Sequence, residues 1–397
     1  PTRSGVGTGS TAMATAPCSY ELLTQDVGSR ARRGRVTLRH GVVQTPAFMP
    51  VGTYGVVKGL VAEEIRALGA DIVLANAFHL QDRVGSDRVQ RLGGLHTFMG
   101  WDGPILTDSG GFQIFSLAHR RSLDADGVTI ASPYNGDRVR LTPESILQTQ
   151  VELGVDVAMI LDECPALPAD RRTLSKSLEL THRWAERAKA YPMDESTRPA
   201  VFGIVQGGLE EDLRARSAAF LTDLDFDGYA IGGLSVGEDP DAMISMVQFA
   251  APRLPEQKIR YLMGVGYPED IIEAVAAGVD FFDCVLPTRN GRNGNLFTSA
   301  GRLIIKHAAN KDDDRPIDED CDCFTCRRYS RAYLRHLYGM GMSLAARLMT
   351  IHNLRYYQRL MQRIRDSIEA GTFSELLAWA RDRTDGKPPS RRRAPRA

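Results

Sequence analysis

The stretch VDVAMILDEC, residues 155–164, runs from Val157 to Leu161 without a polar side chain and then closes on Asp162, Glu163 and Cys164. An apolar run that does not alternate suits a strand covered on both faces. The same pattern recurs in DIVLANA from Asp71, GPILTDSGG from Gly103, AVFGIVQGG from Ala200, GYAIGGL from Gly228, IRYLMGVG from Ile259 and VDFFDCVLP from Val279. A loop rich in Gly, Asp or Pro follows, then a segment of helical period, which implies a parallel sheet with helices on both faces. Strands this numerous predict an irregular (β/α)8 TIM barrel more than an open sheet.

Bulk composition fits such a fold. The chain has 397 residues, 43% apolar and 25% charged, the balance of a globular protein with a sizeable core. Lysine plus arginine and aspartate plus glutamate are both 49, so the whole-molecule field favours neither nucleic acid nor membrane, and any RNA contact must come from a local patch. No apolar stretch reaches the length of about eighteen residues that a membrane span needs, and the N-terminus lacks a signal-type apolar segment. A cytoplasmic protein with no membrane partner is expected.

The rhythm sets the expected organisation. Residues 1–18 are small and polar and read as disordered, 19–305 form the barrel, 306–353 interrupt it as an inserted subdomain, and 354–384 return as helices packing on the barrel. Residues 385–397 are a Pro/Arg-rich basic tail that reads as disordered; its arginines are solvated or touch RNA.

Six cysteines are too few and too uneven for a disulfide framework, but Cys321, Cys323 and Cys326 supply most of a zinc site. The fourth ligand is His336 or His352. If a helix starts at Cys326, ten residues put His336 about 15 Å up its axis, whereas zinc ligands lie about 2.0–2.3 Å from the ion. The GMGMS stretch lets the chain turn, and a helix beginning near Ser343 brings His352 back beside the thiols. Three thiolates and one imidazole close a tetrahedron with no open position, so this zinc would be structural.

In a barrel of this kind the active site lies where strands end. Those ends carry Asp108, Ser109, Gly110, Gly111, Phe112 and Gln113; Asp162, Glu163 and Cys164; Gln206 with Gly207 and Gly208; Gly232 and Gly233; Met263 and Gly264; and Asp283. A lone aspartate there commonly caps a helix, but six strands in succession describe a pocket. Carboxylates, an amide and freed backbone N–H groups suit the edge of a purine-like base, and Phe and Met suit its faces. Paired carboxylates also suit retaining chemistry at a glycosidic carbon, one as nucleophile and one as acid/base. Beyond Asp283, VLPTRNGRNGN reads as a Gly-softened loop presenting Arg289 and Arg292; its spacing fits a solvated loop or phosphate contacts equally well.

TDSGGFQ, LDEC, GIVQGG, IGGLSVGE, RYLMGVGYPED, FFDCVLPTRNGR, CDCFTC and IHN, in this order, resemble the tRNA-guanine transglycosylases, or queuine tRNA-ribosyltransferases, from about residue 20 to residue 380. The resemblance implies a pentosyltransferase of queuosine biosynthesis that exchanges the wobble guanine of tRNAs with a GUN anticodon for a 7-deazaguanine. By motif position, Asp283 would be the nucleophile that forms a covalent tRNA–enzyme intermediate, and Asp108 the general acid/base. Asp162 and Gln206 would bind the base edge, the Gly233 N–H its exocyclic oxygen, and Phe112 and Met263 its faces. Ser109, Gly110, Gly111 and Leu234 fall in the same substrate-binding motifs. Gly264, Val265, Gly266, Tyr267, Pro268, Glu269 and Asp270, with Thr288, Arg289, Asn290, Gly291 and Arg292, match the RNA-contacting segments. The resemblance also implies one structural zinc per subunit on Cys321, Cys323, Cys326 and His352, and a homodimer.

Val236, where the eukaryotic enzymes have Gly, and the position of Cys164 point to the bacterial precursor 7-aminomethyl-7-deazaguanine as incoming base. The chain length leaves no room for the extra RNA-binding domain of archaeal relatives. A non-catalytic zinc-containing tRNA-binding subunit is the alternative, opposed by the presence of both Asp108 and Asp283. A carbohydrate-active barrel is a third reading, opposed by the arginines and the purine-like contact set.

Overall fold

The computed structural model of the protein describes residues 16–110 and 121–384. Gly111, Phe112 and Gln113, the tail 385–397 and residues 1–15 of the N-terminal segment lie outside the described residues.

Three antiparallel strands come first: β1 (Ser19–Gln25), β2 (Arg32–Leu38) and β3 (Gly41–Thr45). The barrel follows with β4 (Ala47–Met49), β5 (Val73–Asn76) and β6 (Ile105–Asp108). An antiparallel meander, β7 (Arg121–Asp124), β8 (Gly127–Ala131) and β9 (Arg138–Leu141), intervenes. Then come β10 (Val157–Met159), β11 (Ala200–Val205), β12 (Gly228–Ile231), β13 (Ile259–Leu262) and β14 (Phe281–Asp283). The parallel order is β4-β14-β13-β12-β11-β10-β6-β5. A bridge between Val51 and Leu74 closes the ring, with the Gly52 N–H donating to the Leu74 carbonyl at 2.7 Å.

The eighth strand, AFM, escapes a search for long apolar runs because it is three residues between Pro46 and Pro50. Every residue of β5, β11, β12 and β13 is buried, as strands covered on both faces require.

Buried charge pins the N-terminal sheet to the amino ends of the strands. The Arg32 guanidinium donates to the Asp280 carboxylate through Nε at 3.0 Å and through Nη2. Asp156 accepts the Ile105 N–H at 2.9 Å, the His40 N–H at 3.0 Å, and hydrogen bonds from the stacked His40 and His96 rings at 2.9 and 3.0 Å. These contacts occupy the amino ends, so the carboxyl ends are left to form a site.

After β14 comes a helix, Leu286–Arg292, then the hairpin β15 (Asn295–Thr298) and β16 (Gly301–Ile304), the helix Arg331–Gly339 and the helix Ser343–Glu369. The last runs unbroken through 353 and 354, where the sequence suggested a division. Its fully buried Asn353 donates to the carbonyls of Pro287 at 2.9 Å and Asn295 at 3.0 Å and accepts the Phe297 N–H at 3.1 Å. Further along, Gln358 donates to Phe48 O at 3.1 Å and Arg365 to Pro46 O at 2.8 Å.

Truncating Asn353 strands three backbone groups away from water, so Asn353→Ala should cost about 3 kcal/mol of stability. Chemical denaturation measures this, and a loss below about 1 kcal/mol would mean that water replaces those bonds.

Candidate active site

Three carboxyl groups meet at the barrel mouth. Asp108 ends β6 directly opposite Asn76 of β5, and that register lets the Asn76 amide donate to Asp108 Oδ2 at 2.8 Å. Asp108 Oδ1 is buried with no hydrogen-bond partner among the described residues. Asp283 ends β14 and accepts two hydrogen bonds at Oδ1, from the Tyr261 hydroxyl at 2.6 Å and the Gly264 N–H at 2.8 Å. Asp162, buried, accepts from the Gln206 side-chain amide at 2.7 Å, while Gln206 Oε1 has no partner among the described residues.

Desolvation separates their acidities. Burial, then the charge of Asp283, raises Asp108 from 3.8 to about 8, against the lowering effect of the Asn76 and Gly110 donors. Burial also raises Asp283, but the Tyr261 and Gly264 donors stabilise its charged form. Asp162 is raised to about 6, by burial above all, with the Gln206 bond opposing. At neutral pH Asp108 therefore holds a proton, while the Tyr261 and Gly264 donors favour the charged form of Asp283 against its burial. Two facing carboxyl groups in unlike surroundings suit the acid and nucleophile roles of glycosyl chemistry.

Backbone geometry shapes the other wall. Gly233 has φ of +63°, and a Cβ there would stand 2.1 Å from Gln206 Oε1, so glycine alone fits. Beyond it, Glu238 accepts the N–H groups of Ser235 and, at 2.9 Å, Val236, fixing the loop in which Leu234 is buried. Met263 is half-buried after β13. Ser109 and Gly110 are buried beside Asp108. On the rim, the Tyr134 hydroxyl meets His79 Nδ1 at 2.7 Å and Tyr54 at 3.1 Å, and the His79 N–H caps on Asn76.

The segment read as a Gly-softened loop is a helix, Leu286–Arg292. Pro287 starts it, and Gly291 lets it approach the helix Ser343–Glu369, since a Cβ would lie 3.0 Å from the Met349 and Thr350 backbone. Thr288 and Asn290 lie on the same helix, and Thr288 donates to the Val285 carbonyl at 3.1 Å. Arg289 and Arg292 are half-buried, near enough for each to feel the other's charge, and form no ion pair among the described residues. Val265, Gly266, Pro268 and Asp270 are buried, Glu269 is half-buried, and Tyr267 precedes the helix Pro268–Ala276.

A second cluster joins Cys321, Cys323, Cys326 and His352, whose ligand atoms lie within 4.8 Å of one another. His352 Nε2 donates to the Phe297 carbonyl at 2.7 Å, which leaves Nδ1 facing Cys326 Sγ at 3.3 Å and Cys323 Sγ at 3.9 Å. Ligands at about 2.0–2.3 Å from a tetrahedral ion stand roughly 3.3–3.8 Å apart, so this buried set fits a structural metal. His336 lies on the helix Arg331–Gly339, outside the cluster, and that helix begins at Arg331 rather than at Cys326.

Residues 26–385 match the family profile described as queuine tRNA-ribosyltransferase. Proteins of that name from Idiomarina loihiensis, Azotobacter vinelandii and Pseudomonas aeruginosa are 55%, 54% and 53% identical to this chain. The alignments cover 88%, 90% and 90% of this chain and 93%, 96% and 95% of theirs. The chain belongs to the queuine tRNA-ribosyltransferase family. Within a family member, the partners that motif reading missed are Asn76, Tyr261 and Glu238, each visible only through register or loop closure. Among the described residues no helix is long and apolar enough to cross a membrane.

Since the folded protein holds the Asp108 proton up to about pH 8 while the unfolded chain releases it near 3.8, raising pH through that window favours unfolding. Asp108→Asn should therefore gain melting temperature over wild type as pH rises from about 5 to 8; a difference that stays constant would rule out the raised pKa. At the other cluster, His352→Ala should lose bound metal and thermal stability together, as atomic spectroscopy and a melt would show. Full metal content at an unchanged melting temperature would overturn the structural reading.

Proposed function

We propose that the protein exchanges the wobble guanine of tRNAs with a GUN anticodon for 7-aminomethyl-7-deazaguanine by double displacement, in the cytoplasm. The observation that carries this reading is the unlike pair at the barrel mouth: Asp283, held by the Tyr261 and Gly264 donors, beside an Asp108 that burial keeps protonated at neutral pH.

The Asp283 carboxylate attacks the ribose anomeric carbon as its bond to guanine breaks, and Asp108 gives its proton to the departing base. The covalent glycosyl ester keeps the energy of the broken glycosidic bond, so no external energy source is needed. The incoming base then loses a proton to Asp108 and displaces Asp283. Gln206 and Asp162 bind the base edge, the Gly233 N–H the exocyclic oxygen, and Met263 covers a face; Phe112 is proposed for the other face. Ser109, Gly110, Gly111 and Leu234 complete the base pocket.

Val236 and Cys164 support a small 7-substituent, because both are packed into one apolar cluster with Leu167, Leu174, Leu178 and Leu213. Arg289 and Arg292, without ion pairs among the described residues, are placed to take phosphates. They act with Thr288, Asn290 and Gly291 and with the segment from Gly264 to Asp270. A target in an anticodon loop is already single-stranded, so extruding it costs little.

Three thiolates and one imidazole favour zinc as the metal, one per subunit. Near it, Phe324 and Tyr333 are 47% and 40% exposed, with Tyr329 stacked on Tyr333 at 5.3 Å. That aromatic strip suits a second copy of the chain, in a homodimer.

Wild-type protein should incorporate radiolabelled guanine into tRNA and yield a denaturation-resistant protein–RNA adduct, and Asp283→Asn should lose both, with exchange down by about a thousandfold or more. Absence of exchange by the wild-type protein overturns the reading.

A further inference from the structure

Arg214 is fully buried on the helix Glu211–Asp223, yet its described hydrogen bonds all go to backbone carbonyls. Nε donates to Gly208 O at 2.8 Å, Nη1 to Gly232 O at 2.8 Å and Val205 O at 3.2 Å, and Nη2 to Gly233 O at 3.2 Å. Burial lowers its pKa only to about 10, so it is a cation at neutral pH. A guanidinium sealed from water is strongly disfavoured unless its donors are engaged, and here a planar fork spans two loops at once.

Those loops bear the proposed base contacts. Gln206 lies between Val205 and Gly208, and its N–H donates to Ser217 Oγ, one turn beyond Arg214, at 3.2 Å. Gly207 lets this loop sit against the helix, since a Cβ would lie 2.8 Å from the Arg214 backbone nitrogen. In a trans peptide the C=O and N–H point in opposite directions. Drawing the carbonyls of Gly232 and Gly233 to Arg214 therefore turns the N–H groups of Gly233 and Leu234 away from it. Two successive donors on one side are possible because Gly233 is left-handed.

We propose that Arg214 is a positioning residue of the base site: it presents the Gly233 and Leu234 N–H groups as a donor pair, and so sets the preference for a purine carrying an exocyclic oxygen. This rests on the base-exchange reading above.

The test compares guanine with 2-aminopurine, which lacks that oxygen, in exchange of radiolabelled guanine into tRNA. Wild type should favour guanine, and Arg214→Lys, whose single amine cannot span both loops, should raise the guanine KM about tenfold or more while leaving 2-aminopurine inhibition within about twofold. In Arg214→Ala, added guanidinium ion should restore guanine affinity. A merely structural role would weaken both bases alike or only lower the melting temperature; either result, or unchanged kinetics, overturns the proposal. Should both variants fail to fold, the role of Arg214 is structural and the proposal is overturned. A wild type without any exchange removes the base-exchange reading itself, whereas an active wild type with an unselective loss in Arg214→Lys removes only this inference.

Discussion

Three carboxyl groups withdrawn from water into one barrel mouth set the terms for the surrounding structure. A carboxylate in such a place must find donors or keep its proton. Asp283 has a phenol and a backbone N–H, Asp162 has an amide, and Asp108 has Asn76 and Gly110 together with a buried oxygen that lacks a partner among the described residues. Surroundings, not residue type, make the acidities unequal: at Asp108 the charge of Asp283 adds to burial, against the Asn76 and Gly110 donors.

That inequality follows from strand register. Asn76 and Asp108 are Cα partners across β5 and β6, and Tyr261 opposes Phe281 across β13 and β14, two residues before Asp283. A slip of one residue would turn the donors to the other face of the sheet. The ties of Asp156 and Asp280 at the amino ends resist such a slip, because each buried carboxylate holds backbone N–H groups on strands or their approaches.

Much of this was legible in the sequence, because a strand buried on both faces betrays itself as a continuous apolar run and its carboxyl end names the site. Asp108, Asp162, Gln206, Gly233, Met263 and Asp283 all lie at such ends, and the metal ligands follow from spacing and a turn. What stayed hidden had no such signal. AFM between two prolines is too short to show a period, the meander β7–β9 has mixed burial, and TRNGR looks like a loop because Gly291 is a contact point between helices rather than a hinge. Arg214 reads as one more charge on an amphipathic helix; only the fold gathers backbone carbonyls around it.

The metal cluster stands apart from the carboxylates but is not independent of them. His352 and Asn353 fix the first half of a long helix against the β15–β16 hairpin and Pro287, and one turn later the Tyr357 hydroxyl donates to the Gly266 carbonyl. Gly266 belongs to the short loop whose Gly264 N–H holds Asp283. A metal held at His352 would thus steady, little more than one helical turn away, the contact that supports a donor to Asp283, with no open position of its own on the metal.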